Sequence, residues 1–257
     1  MSAVRKTKSR WSLPPVDQRT HKSPPPYDHP ALIQGRTIYP STVQVPERDH
    51  GMRVLKSGEN SAKIDAIILK RPWRDFPVFT ISLEERRTCP RDCALWRTCY
   101  GNHMHWAERW QAGPELEWRL EREVALLATL HPHGFVIRLH ILGDFFSVGY
   151  VALWRTLLER HPALHCFGFT ARSNVADPIA AALAELVKSH WDRFAIRFSN
   201  PRHLPFQDAR TAVTFERNQK PPPGAIVCPQ QLGKTESCST CGLCWHGKPR
   251  TIAFILH

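Results

Sequence analysis

A chain of 257 residues is long enough to bury a full α/β core, as one large domain or one and a half. Hydrophobic residues make up 42% and charged residues 23%, which excludes a disordered chain as a whole; no run approaches the ~18 apolar residues of a transmembrane helix. The net charge of +12 makes polyanions plausible partners, although charge alone carries no base readout.

Residues 1–50 are rich in proline and in basic groups, with Arg5, Lys6, Lys8, Arg10, Arg19 and Lys22 set against Asp17. This composition predicts an extended N-terminal arm that could contact nucleic acid, with Trp11, Tyr27 and Tyr39 available to pin it to the body. The first ten residues carry positive charge with no apolar segment behind them, so a signal peptide is not expected and a cytoplasmic location follows.

The core is expected over 51–227. It opens with an apolar stretch at 63–69, a strand at 77–83 and a helix over about 100–112. A second helix covers 115–130, where Leu116, Leu120, Val124, Leu127 and Leu130 recur at helical spacing. The clearest strand is 135–142, running into Gly143-Asp144. Ser147 is placed to N-cap a helix over about 148–160. Strand 165–170 follows, and Asp177-Pro178 opens a helix over about 178–190. Strands are predicted at 194–198, 211–215, 225–227 and 251–256. Alternation of strand and helix argues for a parallel sheet with right-handed crossovers. The expected fold is α/β, a partial (incomplete) parallel βα barrel, with a doubly wound sheet as the alternative. In either case chemistry gathers at the strands' C-terminal ends.

Seven of the eight cysteines fall in two groups, which directs attention to inorganic cofactors. In a reducing compartment clustered thiols point to metal or redox chemistry rather than disulfides. The C-terminal segment, 228–257, holds Cys228-Pro229 and then Cys238, Cys241 and Cys244 at C-x2-C-x2-C spacing. That run suits a [4Fe–4S] cluster, with a structural zinc as the alternative. The earlier group, Cys89, Cys93 and Cys99, supplies three thiols and leaves a coordination position open. His103 could complete a zinc site of three cysteines and one histidine there. Ligands drawn from both groups to one metal are a further option. Cys166 reads as a small buried hydrophobe. Trp106, Trp110 and Trp118 recur on helical patterns and read as core. Arg138, Arg172 and Arg197 could reach an anionic substrate, or be solvated or salt-bridged.

The blocks Thr88-Cys-Pro-Arg-Asp-Cys93 with Cys99-Tyr100, Leu139 to Ser147, and Cys228 through Trp245 resemble the phage and plasmid "gene product 88" family over residues 60–257. That resemblance implies a lineage and names no reaction. More distantly, an apolar strand, a three-cysteine loop and βα units resemble the radical S-adenosylmethionine (SAM) enzymes. In those enzymes three cysteines hold a [4Fe–4S] cluster whose free iron binds SAM and cleaves it to a carbon radical. The resemblance implies Cys89, Cys93 and Cys99 as cluster ligands. It places Gly143, Asp144 and Tyr100 beside the cofactor, with Asp144 catalytic, and gives the C-terminal thiols an auxiliary cluster. The spacing here is C-x3-C-x5-C, against C-x3-C-x2-C in that superfamily, and Gly-Asp stands where it has Gly-Gly-Glu. The substrate is not specified. The alternative functions are a zinc-stabilised, basic nucleic-acid-binding protein and an iron–sulfur redox protein without SAM chemistry.

Overall fold

The computed structural model describes residues 24–48, 51–61, 63–174, 176–248 and 250–256. The expectations placed on Trp11 and on the basic residues before position 24 lie outside the described residues. Among the described residues ten strands form: β1 (Val43–Gln44), β2 (Lys56–Ser57), β3 (Val78–Thr80), β4 (Arg109–Trp110), β5 (Phe135–Leu139), β6 (Leu164–Thr170), β7 (Phe194–Ser199), β8 (Thr211–Phe215), β9 (Ile226–Val227) and β10 (Ile252–Ile255). The helices are α1 (Pro30–Gln34), α2 (Pro114–Leu130), α3 (Val148–Arg160), α4 (Pro178–His190) and α5 (Cys238–Cys241).

Eight strands make one sheet in the order β2-β3-β5-β6-β7-β8-β10-β9, and a two-stranded sheet pairs β1 with β4. Every pairing in the large sheet is parallel except that of β2 with β3. From β3 to β8 the strands stand in chain order, with no reversal between them. The doubly wound alternative, which requires such a reversal, does not apply. The sheet ends at β2 and β9, and no barrel closure is seen among the described residues.

Successive right-handed crossovers stepping one way place all connecting helices on one face. The packing follows: α2, α3 and α4 cover Ile137 and Leu139 of β5, Cys166 of β6 and Phe194, Ile196 and Phe198 of β7. Cys166 is fully buried there. Side chains of the opposite parity, Val78, Val136, Phe167 and Ala195, pack instead against Ile68, Trp73 and Trp245. One sheet face is therefore roofed by helices, and the other by the 63–76 segment and the C-terminal cysteine lobe.

Local signals explain the best-placed elements. Ser147 accepts a hydrogen bond from Tyr150 N at the start of α3, and Asp177 accepts one from Ile179 N at the start of α4. Gly168 lies where β6 runs tight against β5; a Cβ there would run into the carbonyl of Leu139.

The helix expected over 100–112 does not form. A short 3-10 turn spans Tyr100–His103, and the chain then extends into β4. The cause is Arg109. Its buried guanidinium donates to the carbonyls of Gly101 (3.1 Å), Met104 (3.2 Å) and Ala107 (2.6 Å), and pairs with Glu85 at 2.6 Å. The Gly101 and Met104 carbonyls also accept from the amides of Met104 and Ala107, three residues on, so the backbone makes isolated turns that one side chain gathers in place of a continuous helix. Trp106, read as core, is 89% exposed, whereas Trp110 is buried.

Candidate metal–thiolate sites

The loop after β3 carries the first thiol group. It is sewn to the ends of the next two strands by a short polar network. Thr88 Oγ1 accepts from Asp144 N (3.0 Å), and the Asp144 carboxylate accepts from Thr170 Oγ1 (2.7 Å), Ala171 N (2.7 Å) and Phe145 N (2.8 Å). Arg172 donates to the Thr88 carbonyl at 3.0 Å and pairs with Asp177 at 2.6 Å. Gly143 allows the close approach: its φ of +84° is left-handed, and a Cβ would meet Leu83 Cβ and Thr88 Oγ1 at 2.7 Å. Burial pushes the Asp144 carboxyl up to about 6, against the pull of its donors and of Arg172.

Residues 24–48 wrap this loop from outside. Trp96 Nε1 and Arg91 donate to the Leu32 carbonyl, Arg36 pairs with Glu84 at 2.5 Å, and Thr37 Oγ1 donates to Glu85 at 2.8 Å. Tyr39 donates to the Asn102 carbonyl at 2.7 Å, and Arg97 lies over the ring of Tyr27. Both tyrosines proposed as pins therefore touch the body.

Cys89, Cys93 and Cys99 are half-buried and free of disulfides. Burial raises all three thiols, Cys93 to about 12, and proximity among the three adds to the rise at Cys89 and Cys93. Asp144 raises Cys89 and Cys93 further. His103 is exposed, and Tyr100 is 46% exposed.

The second group is built by local chemistry. Ser237 and Thr240 form a reciprocal capping box around α5, which brings Cys238 and Cys241 onto neighbouring positions of a single turn. Gly242 ends that turn with a φ of +70°, and Leu243–Trp245 continue as a 3-10 turn carrying Cys244. Cys228 is brought in by the sheet, its N–H donating to Ala253 O at 2.9 Å. The Lys63 carbonyl accepts from Cys238 N at 2.7 Å, and Trp245 stacks on Trp73 with 5.2 Å between centroids. Burial lifts the Cys238 thiol to about 11 and the Cys244 thiol well above its ordinary value; Cys228 raises both. The thiol influences on Cys89, Cys93, Cys238 and Cys244 all come from within their own group. As they stand, no three His, Cys, Asp or Glu side chains among the described residues are drawn closely enough together to hold an ion.

Two arginines lie under this lobe. Arg197 of β7 donates to the carbonyls of Cys244 (2.9 Å), Leu243 (3.1 Å) and Arg250 (2.7 Å). Arg138 of β5 donates to the carbonyls of Leu139 and His140 and lies 4.9 Å above the ring of Phe169. Burial lowers both guanidinium pKa values, Arg197 to about 10, and Cys244 acts against that on each. Neither has a carboxylate within ion-pair distance among the described residues. Their role is detectable in the pattern Val136-Ile-Arg138 and Ala195-Ile-Arg197, where each arginine shares the parity of a core residue. The Thr88–Asp144–Thr170 clamp leaves no such trace, because its members come from three separate strand ends.

These features define the class: an α/β protein with a mostly parallel sheet and two groups of free thiols, one at the strands' C-terminal ends and one on a face. No helix among the described residues is long and apolar enough to cross a membrane. The chain is similar in part to the Gene 88 protein of Mycobacterium phage L5, with 27% identity over 136 residues. The match covers 46% of this chain and 54%, about half, of that protein. No family model and no solved structure matches the chain.

Proposed function

We propose that this chain is an iron–sulfur protein of radical-SAM-like type, with an auxiliary [4Fe–4S] cluster on Cys228, Cys238, Cys241 and Cys244 and an active cluster on Cys89, Cys93 and Cys99. The observation that carries the reading is the pair of arginines, buried Arg197 and half-buried Arg138, set against the C-terminal thiols with no carboxylate partner among the described residues. A buried cation without a counter-ion is costly. Four thiolates around a [4Fe–4S]2+ core form a net dianion, which two guanidinium groups neutralise. The donor set fits on charge. Cys238 and Cys244, raised by burial and by neighbouring thiols, are held as thiols until a metal displaces the proton.

At the first group, Cys89, Cys93 and Cys99 leave one position open for a ligand, and an iron there would supply reductive cleavage of SAM. The chain's own contribution is placement. Gly143 and the Thr88–Asp144–Thr170 clamp hold the loop to the strand ends, and the 24–48 segment shields its outer side. Asp144, engaged by three donors, ties the β5 and β6 ends together, and would be the group there to accept a hydrogen bond from a bound amino group. Strands in chain order from β3 to β8, with helices on one face, support the partial-barrel reading. Free cysteines fit a reducing compartment such as the cytoplasm.

A zinc site of four thiolates is also a dianion, so the same arginines support the zinc alternative, and the metal count decides. Anaerobically purified protein is expected to be brown with about eight irons, falling to about four in Cys93→Ala. Cys93→Ala is also expected to abolish SAM cleavage. Colourless protein carrying zinc would end the iron–sulfur reading, and iron lost equally from both groups would end the assignment of two centres.

A further inference from the structure

At the opposite, N-terminal end of the strands lies a cavity of about 700 Å³, which Cys241 of the C-terminal thiol group borders on one side. Its volume falls in the ~300–1,000 Å³ range of ligand pockets. The walls are aromatic: Phe76 before β3, His165 at the start of β6 and Trp191 before β7 are partly exposed, and the stacked pair Trp73 and Trp245 forms the deeper wall. The rim is basic. Lys70, Arg71 and His246 are exposed, Arg193 also lines the cavity while donating to the carbonyls of Leu158 and His161, and Asp192 is the lone carboxylate of the lining.

The indole Nε1 atoms of Trp191 and Trp245 are sealed within the wall and have no acceptor among the described residues, so the ring faces and not the N–H groups meet the cavity. The cavity therefore offers π faces and a cationic rim. A nucleotide supplies both matching parts, a flat base and an anionic phosphate. Aromatic platforms within a positive groove are how single strands are held without sequence preference. The charge of +12 over the chain agrees with a polyanionic partner.

We infer that this aromatic, basic cavity binds single-stranded nucleic acid, stacking an unpaired base against the wall formed by Phe76, His165 and Trp191 and holding its flanking phosphates on Lys70 and Arg71. This site is separate from the basic arm.

The test uses the full chain and a fluorescein-labelled oligothymidylate of about a dozen nucleotides, read by anisotropy across a salt series. The double variant Lys70→Glu with Arg71→Glu changes only exposed side chains. It is expected to weaken binding about tenfold or more and to flatten the salt dependence, with metal content and melting temperature unchanged. A 5-bromouracil oligonucleotide is expected to crosslink to a peptide containing Phe76 or Trp191. Replacing Arg5, Lys6, Lys8 and Arg10 with Gln in the same chain is expected to leave the crosslink in place. Unchanged affinity in the Glu variant, equal binding of duplex of the same length, equal binding of thymidine monophosphate, or crosslinks confined to the arm would each overturn the assignment.

Discussion

At the scale of single residues, the structure is organised by buried polar groups whose partners come from distant parts of the chain. His140 is one. It is 3% exposed, its Nε2 is 3.0 Å from the Tyr150 hydroxyl, and its ring meets Phe145 edge-on at 4.8 Å. Burial, helped by the nearby Arg138 charge, lowers its pKa to about 3. Below pH ~6.5 the unfolded chain binds a proton at this imidazole that the folded protein does not. Its contribution to stability is therefore complete above about pH 6.5 and is lost as the pH falls toward 3, by at most about 5 kcal/mol. In urea melts from pH 7 to pH 4, His140→Asn is expected to show a flatter acid limb than the parent protein. An identical slope would show that His140 is protonated in the folded state. The raised Asp144 pKa acts in the opposite sense, favouring the folded state as pH falls from about 6.

At the scale of elements, the sheet depends on how closely β5 and β6 approach. Cys166, Gly168 and Thr170 share one face of β6, and Gly168 faces the Leu139 backbone with no room for a methyl group. Gly168→Ala must push the two central strands apart, and these strands also deliver Asp144 and Thr170 to the clamp. The expected cost is about 3 kcal/mol or more, at the high end for overpacking because the obstacle is backbone. It is checked by chemical denaturation beside Ala152→Gly on the exposed side of α3, which removes a helix-former and costs only about 1 kcal/mol. Similar losses in the two variants would mean that the strands yield without strain. The amphipathic stripes of α2 and α4 were readable because each helix has one core face. The 100–112 segment misled for the same reason: its apolar spacing imitates a helix, while the group that organises it, Arg109, reads in sequence as an exposed cation.

At the scale of the whole molecule, the N-terminal segment and the first thiol loop form one unit around a buried ion pair. Glu85 and Arg109 are completely buried, and Thr37 and Thr42 from the N-terminal segment bond to them. Arg86 adds a second tie, donating to Asn102 Oδ1 at 2.6 Å and to the Arg36 carbonyl. Removing one partner leaves the other charge buried, at a cost of about 3–5 kcal/mol. Glu85→Gln is expected to lose that much stability, and limited proteolysis should then cut between residues 24 and 48 before it cuts the sheet. If the sheet and this segment are cleaved together, the segment folds as part of the core and does not clamp it.

The sequence alone determined the α/β class, the bounds of α3 and α4 and the grouping of seven thiols, because each follows from spacing along a short stretch. Hydrophobic period, caps and cysteine intervals are local quantities. Only the tertiary structure decided which sheet face the C-terminal thiols cover, that Arg138 and Arg197 lie beneath them, and that Asp144 closes a clamp with Thr88 and Thr170. Those juxtapositions join residues many positions apart through strand order and crossover hand. Strand parity puts Arg138 and Arg197 on the face of Val136 and Ala195, but no local pattern records what covers that face, because the covering lobe arrives from a distant part of the chain.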